Sequence, residues 1–352
     1  MQNRLELKKR ILIHDIAKHL DVSIATVSLV LNGRAKEKRI SDVLAEKVLN
    51  YVKEVGYKPN QLAKSLRSGK THVLGLVVED IANPFFASVA RLIERKALEH
   101  GYHIIYCSTN RDPAKTKDIL TMFEERHVDG YVLALPEGLE SEVSALVRSG
   151  KPLVLFDRVL SGVSANAVVV DGATGMYEAT QHLLAQGYKS IALITIQHGQ
   201  TQMITRRQGY AQALREHTLP EMVDEIVLQQ EPAQIISQMA AFFQAHPHCE
   251  AVLFTTNYLG LYGLEALNQI GWSVPKRIAV VSFDDNALFR LYSSPITVVA
   301  QPLEAMAEEI VKVLLTALQG GKQTNGMMLL QLTPKLLIRQ SSIRPASPTR
   351  AK

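Results

Sequence analysis

The chain has 352 residues, 47% hydrophobic and 21% charged, enough for two or three compact units with a sizeable core and unlike a disordered chain. Its net charge of +5 is unevenly spread: residues 1–70 hold 15 Lys+Arg against 7 Asp+Glu, and the other 282 hold 24 against 27. Two distant cysteines, Cys107 and Cys249, with no Cys-x-x-Cys, argue against a disulfide scaffold and fit a reducing compartment. The polar start MQNRLELKKR has no secretory signal pattern and no run of about 18 apolar residues occurs, so the chain is expected in the cytoplasm and not in a membrane.

In chain order, HDIAKHL predicts a first helix with Ile16, Ala17 and Leu20 on one side. A break at Asp21, Val22 and Ser23 follows, with Ser23 as cap of a second helix from Ile24 to Leu31 that Asn32 and Gly33 stop. Beyond the basic loop RAKEKR, Ser41 caps a third helix running to Val55, with Val43, Leu44, Val48, Leu49 and Val52 expected inward. Residues 57–71, YKPNQLAKSLRSGKT, are polar and basic and form a junction.

From Val73 the texture changes. The apolar runs VLGLVV, HIIYCS, GYVLAL, PLVLFD, SIALIT, AVLFT and IAVVSF recur, most followed by an amphipathic stretch such as PFFASVARLIERKALEHG. Alternating strand and helix implies parallel sheets covered on both faces. Seven such runs exceed the needs of one compact unit, so two lobes are expected, divided near Val168 to Thr174; the tail from Ser341, SSIRPASPTRAK, is expected to be disordered.

On a helical wheel the second helix has two faces. Val27, Val30 and Leu31 can pack inward, whereas Ile24, Ala25, Ser28, Leu29 and Asn32 form a side of hydroxyls, an amide and bare hydrocarbon, with no Lys or Arg between residues 22 and 33. A helix, a three-residue break and a second helix with basic flanks is a helix-turn-helix arrangement, in which the second helix lies in the major groove. Phosphates can be held by hydroxyls, amides and backbone N–H groups at a helix start, without a cation at every contact. The competing reading of the basic head is a solvated, lysine-rich face.

The order H-D-I-A-x-x-L-x-V-S-x-A-T-V-S-x-V-L-N-G, then G-Y-x-P-N-x-L-A-x-S-L, G-L-V-V-x-D-I-x-N-P-F-F and V-V-S-F-D-D resembles the lactose/galactose repressor family of bacterial transcription regulators, from residue 13 to about 340. The resemblance implies an α/β chain with an all-α helix-turn-helix head (residues 1–57), a hinge that becomes helical on DNA (58–71) and a two-lobed body of parallel sheets like a periplasmic binding protein (72–345), ahead of a disordered tail (346–352). The lobes would comprise about 72–168 with 301–328, and 169–300 with 329–345. By resemblance Ser23, Thr26, Ser28 and Asn32 position phosphates, and Ile24 and Ala25 occupy the base-reading start of the recognition helix. Two positions depart from the family pattern. Leu29 stands where many relatives have an arginine that would fork onto a guanine; leucine can touch a thymine methyl, so the operator is expected to differ from the family's common half-site at that base pair. Asp21 replaces the turn glycine of many relatives and tolerates left-handed backbone. In the hinge, from Asn60 on, Leu66 matches the residue that wedges between base pairs in the minor groove, with Ala63 allowing close approach of a partner hinge; Leu66 could instead be a linker leucine resting on the body.

For the body, ligands of such sheets bind outside the carboxyl ends of strands. The resemblance implies Asp157, Arg206, Asn257 and Asp284 as hydrogen-bonding partners of sugar-like hydroxyls, with Phe85, Phe86, Asn110, Arg158 and Gln301 lining the site. The usual Asn-Asp pair is here Asn257-Tyr258. The competing reading of each polar residue is a helix cap or turn residue, and that of Phe85 and Phe86 is core packing. HPHC (246–249) lacks further spaced ligands for a metal, and no Walker, zincin or nucleophile-elbow motif occurs, so neither catalysis nor a cofactor is expected. The expected partners are a near-palindromic DNA operator, a second copy of the chain, and a sugar, sugar acid or sugar phosphate. The repressor reading stands against a solute-binding protein, which should carry a signal segment and no basic head, and against a sugar-modifying enzyme.

Overall fold

Three short stretches near the N-terminus fold as helices α1 (Ile13–His19), α2 (Ile24–Leu31) and α3 (Asp42–Glu54). Each closes on a left-handed residue, Asp21 (φ 55°), Gly33 and Gly56, with paired reverse bonds: Val22 N–H donates to Ala17 and Asp21 N–H to Lys18, and the same pattern recurs at Arg34 with Gly33 and at Tyr57 with Gly56. Asp21 thus adopts the backbone expected of it. Ile16, Ala17, Leu20, Val27, Val30 and Val48 form the core. Val43 and Leu49, expected inward on α3, are 79% and 49% exposed. The inward stripe is Leu44, Val48, Tyr51 and Val52, the i, i+4, i+7, i+8 spacing of a single helix face. The computed structural model describes residues 11–57, 69–197, 200–228, 230–320 and 328–345, and the chain divides into two units at Thr71/His72.

In the second unit, strands β1 (Val73–Val78), β2 (His103–Ser108), β3 (Gly130–Leu133), β4 (Leu153–Phe156), β5 (Asn166–Val170) and β11 (Leu329–Leu332) form one parallel sheet in the order 11-5-4-3-1-2. The other sheet, ordered 12-10-9-8-6-7, holds β6 (Ile191–Ile196), β7 (Met222–Ile226), β8 (Ala251–Phe254), β9 (Ala279–Phe283), β10 (Thr297–Ala300) and β12 (Lys335–Leu337). Among the described residues only the β10–β12 pair is antiparallel. Central strands such as β6 and β8 are buried throughout, because helices cover both faces and leave no solvated side for polar residues.

The helices are α4 (Pro84–Glu99), α5 (Pro113–Glu125), α6 (Glu140–Arg148), α7 (Gly172–Ala185), α8 (Thr201–Glu216), α9 (Pro232–Ala245), α10 (Asn257–Gln269), α11 (Ala287–Leu291) and α12 (Leu303–Leu318). The chain passes between the lobes after β5, after β10, whose successor α12 packs in the first-lobe core, and between β11 and β12. Each sheet reverses its winding beside its first strand, β1 in one lobe and β6 in the other, and this is where a crevice opens at the carboxyl ends.

Three expectations need correction. Residues 329–332, assigned to the second lobe, pair with β5 in the first sheet, with Leu330 and Leu332 packed on its core; Val169 and Val170 likewise complete β5. The tail does not loosen at Ser341: Ser341 and Ser342 are fully buried. Their hydroxyls satisfy strand ends, Ser341 donating to the Val280 carbonyl and accepting from Thr297 N–H. Residues 346–352 lie outside the described residues. Strands β5, β7, β10, β11 and β12 were not among the seven runs read from sequence; β7 is a partly polar edge strand, and β11 and β12 are edge strands with exposed residues. Among the described residues no helix is long and apolar enough to cross a membrane.

Candidate functional site

In the head, α2 is fixed by Ser23, whose Oγ accepts from Thr26 N–H at 3.0 Å and meets Thr26 Oγ1 at 2.9 Å. Asn32 Nδ2 donates to the Ser28 carbonyl at 2.6 Å at the other end. These contacts hold the polar residues along one side of the helix. Val27 and Val30 are buried, while Ala25 and Asn32 are exposed and Ile24 stays half in solvent. No acidic side chain occupies the first turn of α2, so its positive dipole end is uncompensated and suited to an anion. Lys36, Lys38 and Arg39 stand exposed in the loop that follows. The sequence-derived face of Ile24, Ala25, Ser28, Leu29 and Asn32 is therefore one surface, although Leu29 and Ser28 are half-buried at its margin. Asn60, Ala63 and Leu66 lie outside the described residues.

In the body, the polar residues that end the central strands converge between the lobes. Asp157 and Arg158 follow β4, Thr256 follows β8, Asp284 follows β9 and Gln301 follows β10; Arg206 comes from α8, and Phe85 and Phe86 from the first turn of α4. All of these line one pocket, together with Glu79, Asn83, Gln202 and Tyr258. Asp157 and Asp284 both sit in left-handed backbone, at φ 69° and 68°, a sparsely populated conformation for a non-glycine residue and one that clusters at functional sites.

The first lobe contributes an ion network. Glu79, 5% exposed, bridges Arg111 Nε and Arg158 Nη2, and Arg158 also donates to Asp157 Oδ2 at 3.2 Å. In the second lobe Arg206 donates to the Thr255 carbonyl at 2.6 Å and lies 3.6 Å over the Phe283 ring. Gln301 Nε2 donates to Asp284 Oδ1 at 2.5 Å. Contacts across the crevice close it: Asn257 Nδ2 donates to Asn83 Oδ1 at 3.0 Å, and the Arg111 guanidinium stands 5.7 Å from the Tyr258 ring. With its amide oxygen turned to Arg158, Gln202 accepts from Nε and Nη2 at 3.1 and 3.2 Å. About 30 Å³ of room remains among these side chains, while an outer groove of about 640 Å³ adjoins it at Asn83, Arg111, Asn257 and Tyr258. A ligand larger than a water enters the inner part only as the side chains or the lobes give way.

Burial drives up the carboxyl pKa of both Asp157 and Asp284 and outweighs the guanidiniums of Arg158 and Arg206. Burial also lowers the Arg206 pKa against the pull of Asp284 and Asp157. Glu79 goes the other way: burial would raise it, but Arg158 and Arg111 together hold its carboxyl below the ordinary glutamate value. Two guanidinium nitrogens, Arg158 Nη1 and Arg206 Nε, are buried with no hydrogen-bond partner. The site thus presents carboxylates that accept and guanidinium N–H groups that await an acceptor.

Of the expected ligand residues, Phe85, Phe86, Asp157, Arg158, Arg206, Asp284 and Gln301 meet in this pocket. Phe85 and Phe86 line the pocket and at the same time pack in the first-lobe core. Asn257 lies beside it, lining the outer groove with its amide bonded to Asn83. Asn110 does not line it: the residue is exposed, in left-handed backbone, and spends its N–H on the Glu79 carbonyl. Its neighbour Arg111 turns inward instead. Glu79, Arg111 and Gln202 were missed. Glu79 immediately follows β1, so the rule about strand ends would have found it; Arg111 and Gln202 sit past the strand ends and carried no local signal. Among the described residues no cluster of His, Cys, Asp and Glu could hold a metal ion.

Comparison with known proteins places these two sites in one context. Residues 12–60 match the model of the bacterial regulatory proteins of the lacI family, and residues 180–342 that of a periplasmic binding protein-like domain. The chain is 31% identical to the HTH-type transcriptional regulator DegA of Bacillus subtilis over 337 residues, 94% of this chain and 97% of that one. Among solved structures it resembles a complex of the transcriptional regulator CelR with cellobiose (26% identity, TM-score 0.68, 94% of this chain and 100% of that one). It also resembles the lac repressor dimer bound to operator and the anti-inducer ONPF (21% identity, TM-score 0.83, 95% and 100%). A helix-turn-helix head and a body with a polar crevice at its strand ends, matched end to end by such relatives, make this chain a member of the lacI family of bacterial regulatory proteins, a DNA-binding transcription regulator with an effector-binding body.

Proposed function

We infer that this regulator is a homodimeric repressor acting in the cytoplasm, whose two heads read a near-palindromic operator and whose crevice binds a sugar-like effector. Residues 58–71 serve as a hinge that turns helical on DNA, with Leu66 as the minor-groove wedge and Ala63 at the contact between paired hinges. In the head, Ser23, Thr26, Ser28 and Asn32 hold phosphates while Ile24, Ala25 and Leu29 meet base edges. One observation carries the effector reading: buried carboxylates from both lobes, Asp157 and Asp284, face buried guanidinium nitrogens that lack acceptors, Arg158 Nη1 and Arg206 Nε. A hydroxyl both donates and accepts, so a polyol satisfies both sets at once. Cellobiose, bound by the related CelR, is of this class.

Binding between the lobes favours one separation of them, and only a difference in affinity between the two body states can reach the DNA. The full chain, titrated by fluorescence anisotropy against inverted repeats from upstream of its own and neighbouring genes, should show salt-dependent, sequence-selective binding. One member of a panel of sugars, sugar acids and sugar phosphates should shift that affinity by about fivefold or more. Binding indifferent to sequence, or unmoved by every member of the panel, would overturn the reading.

A further inference from the structure

We propose that Glu79 is an internal counter-ion that sets the charge preference of the crevice, making it select an uncharged polyhydroxy effector and reject sugar acids and sugar phosphates. The proposal rests on the effector reading above and deepens it. Six charged side chains meet in or at the rim of the crevice: the guanidiniums of Arg111, Arg158 and Arg206 and the carboxylates of Glu79, Asp157 and Asp284. Their charges cancel, and the half-buried Asp80 adds a further negative charge at the outer rim near Arg111. Asp157 and Asp284 alone would leave one cation in excess, which is what an acidic ligand needs. Glu79 removes that excess by occupying Arg111 and Arg158 together, and it is itself buried.

The geometry explains why an anion cannot simply take its place. A carboxylate or phosphate reaching Arg158 would lie against Glu79 and Asp157, both bonded to the same guanidinium. Like charges in a site screened from water repel strongly, and an anion can only accept hydrogen bonds. A neutral hydroxyl accepts from Arg158 Nη1 and donates to Asp157 without adding charge. Glu79 directly follows β1, at the reversal of strand order, so its carboxylate is held by the end of an interior strand of the lobe.

Inorganic sulfate tests the charge logic without knowledge of the effector. By calorimetry at fixed ionic strength, the wild-type chain should take up no sulfate in the crevice. Glu79→Gln, which keeps the size and leaves a guanidinium unmatched, should bind it at least about tenfold more tightly. D-gluconate should gain in the same way over sorbitol. The double variant Glu79→Gln/Arg111→Gln restores the balance of charge and should fall back to wild-type behaviour; it removes the guanidinium that loses its carboxylate in the single variant and leaves Arg158 paired with Asp157, so it stays measurable if the single variant does not fold. Sulfate binding in the wild-type crevice, a single variant that folds yet binds sulfate no more tightly than the wild type, or a double variant that binds it as tightly as the single one would each overturn the proposal. None of these results bears on operator binding, so failure here is separable from failure of the repressor reading.

Discussion

Leu29 sits at the margin of the α2 face, half-buried beside the exposed Ile24 and Ala25, and has no donor to offer a base. Leu29→Arg should move the preferred base at one half-site position toward guanine, by about 1–3 kcal/mol of discrimination; a randomised-site selection that returns the same half-site from both proteins would refute the contact. In the crevice, burial keeps the Asp284 pKa above its unfolded value. A carboxyl so shifted contributes stability that is full below the unfolded pKa and is lost as pH rises through the folded one. At neutral pH the buried carboxyl therefore costs stability relative to acid conditions, to the benefit of the site. Asp284→Asn removes that cost, keeps an acceptor for Gln301 and suits the left-handed backbone. It should raise the melting temperature at pH 7 by about 2–4 °C while abolishing the effector response; a lower melting temperature would show that the charge stabilises the fold. Asp284 stands in V-V-S-F-D-D and Asp157 ends the run PLVLFD, so both were placed at strand ends from sequence, whereas Arg206 entered only through the family resemblance. Glu79 stands at a strand end where the same rule would have picked it out, but its role as a shared partner of two arginines, 32 and 79 residues further along the chain, shows only once the sheet brings them to it.

Helices α7 and α8 illustrate how an element places a functional group. A Cβ on Gly209 would lie 2.0 Å from the Ala173 carbonyl oxygen, so the backbones of the two helices meet there with no space for a side chain. Arg206 is one turn earlier on α8, and the close approach sets how far its guanidinium reaches toward Asp284. Gly209→Ala should destabilise the body by about 1–3 kcal/mol and weaken effector binding more than operator binding by the head. An unchanged melting temperature would mean that the helices are free to part. The elements themselves were readable wherever apolar runs were continuous: β1 and β2 match the runs read from sequence. The inward face of α3 was not, because Val43 and Leu49 are apolar yet solvent-facing, and a wheel read from hydrophobicity alone takes both as core.

At the scale of the molecule, the two sheets repeat one plan. Their orders, 11-5-4-3-1-2 and 12-10-9-8-6-7, correspond position by position apart from the reversed direction of β12, so β4 corresponds to β9 and Asp157 to Asp284, down to their matching φ of 69° and 68°. The crevice is therefore gripped by one acid from each half, like the jaws of a caliper. A guest long enough to engage both jaws fixes the gap and so transmits a signal. One that reaches only a single jaw occupies the place and says nothing, which makes short polyols the natural silent competitors of whatever compound this regulator obeys.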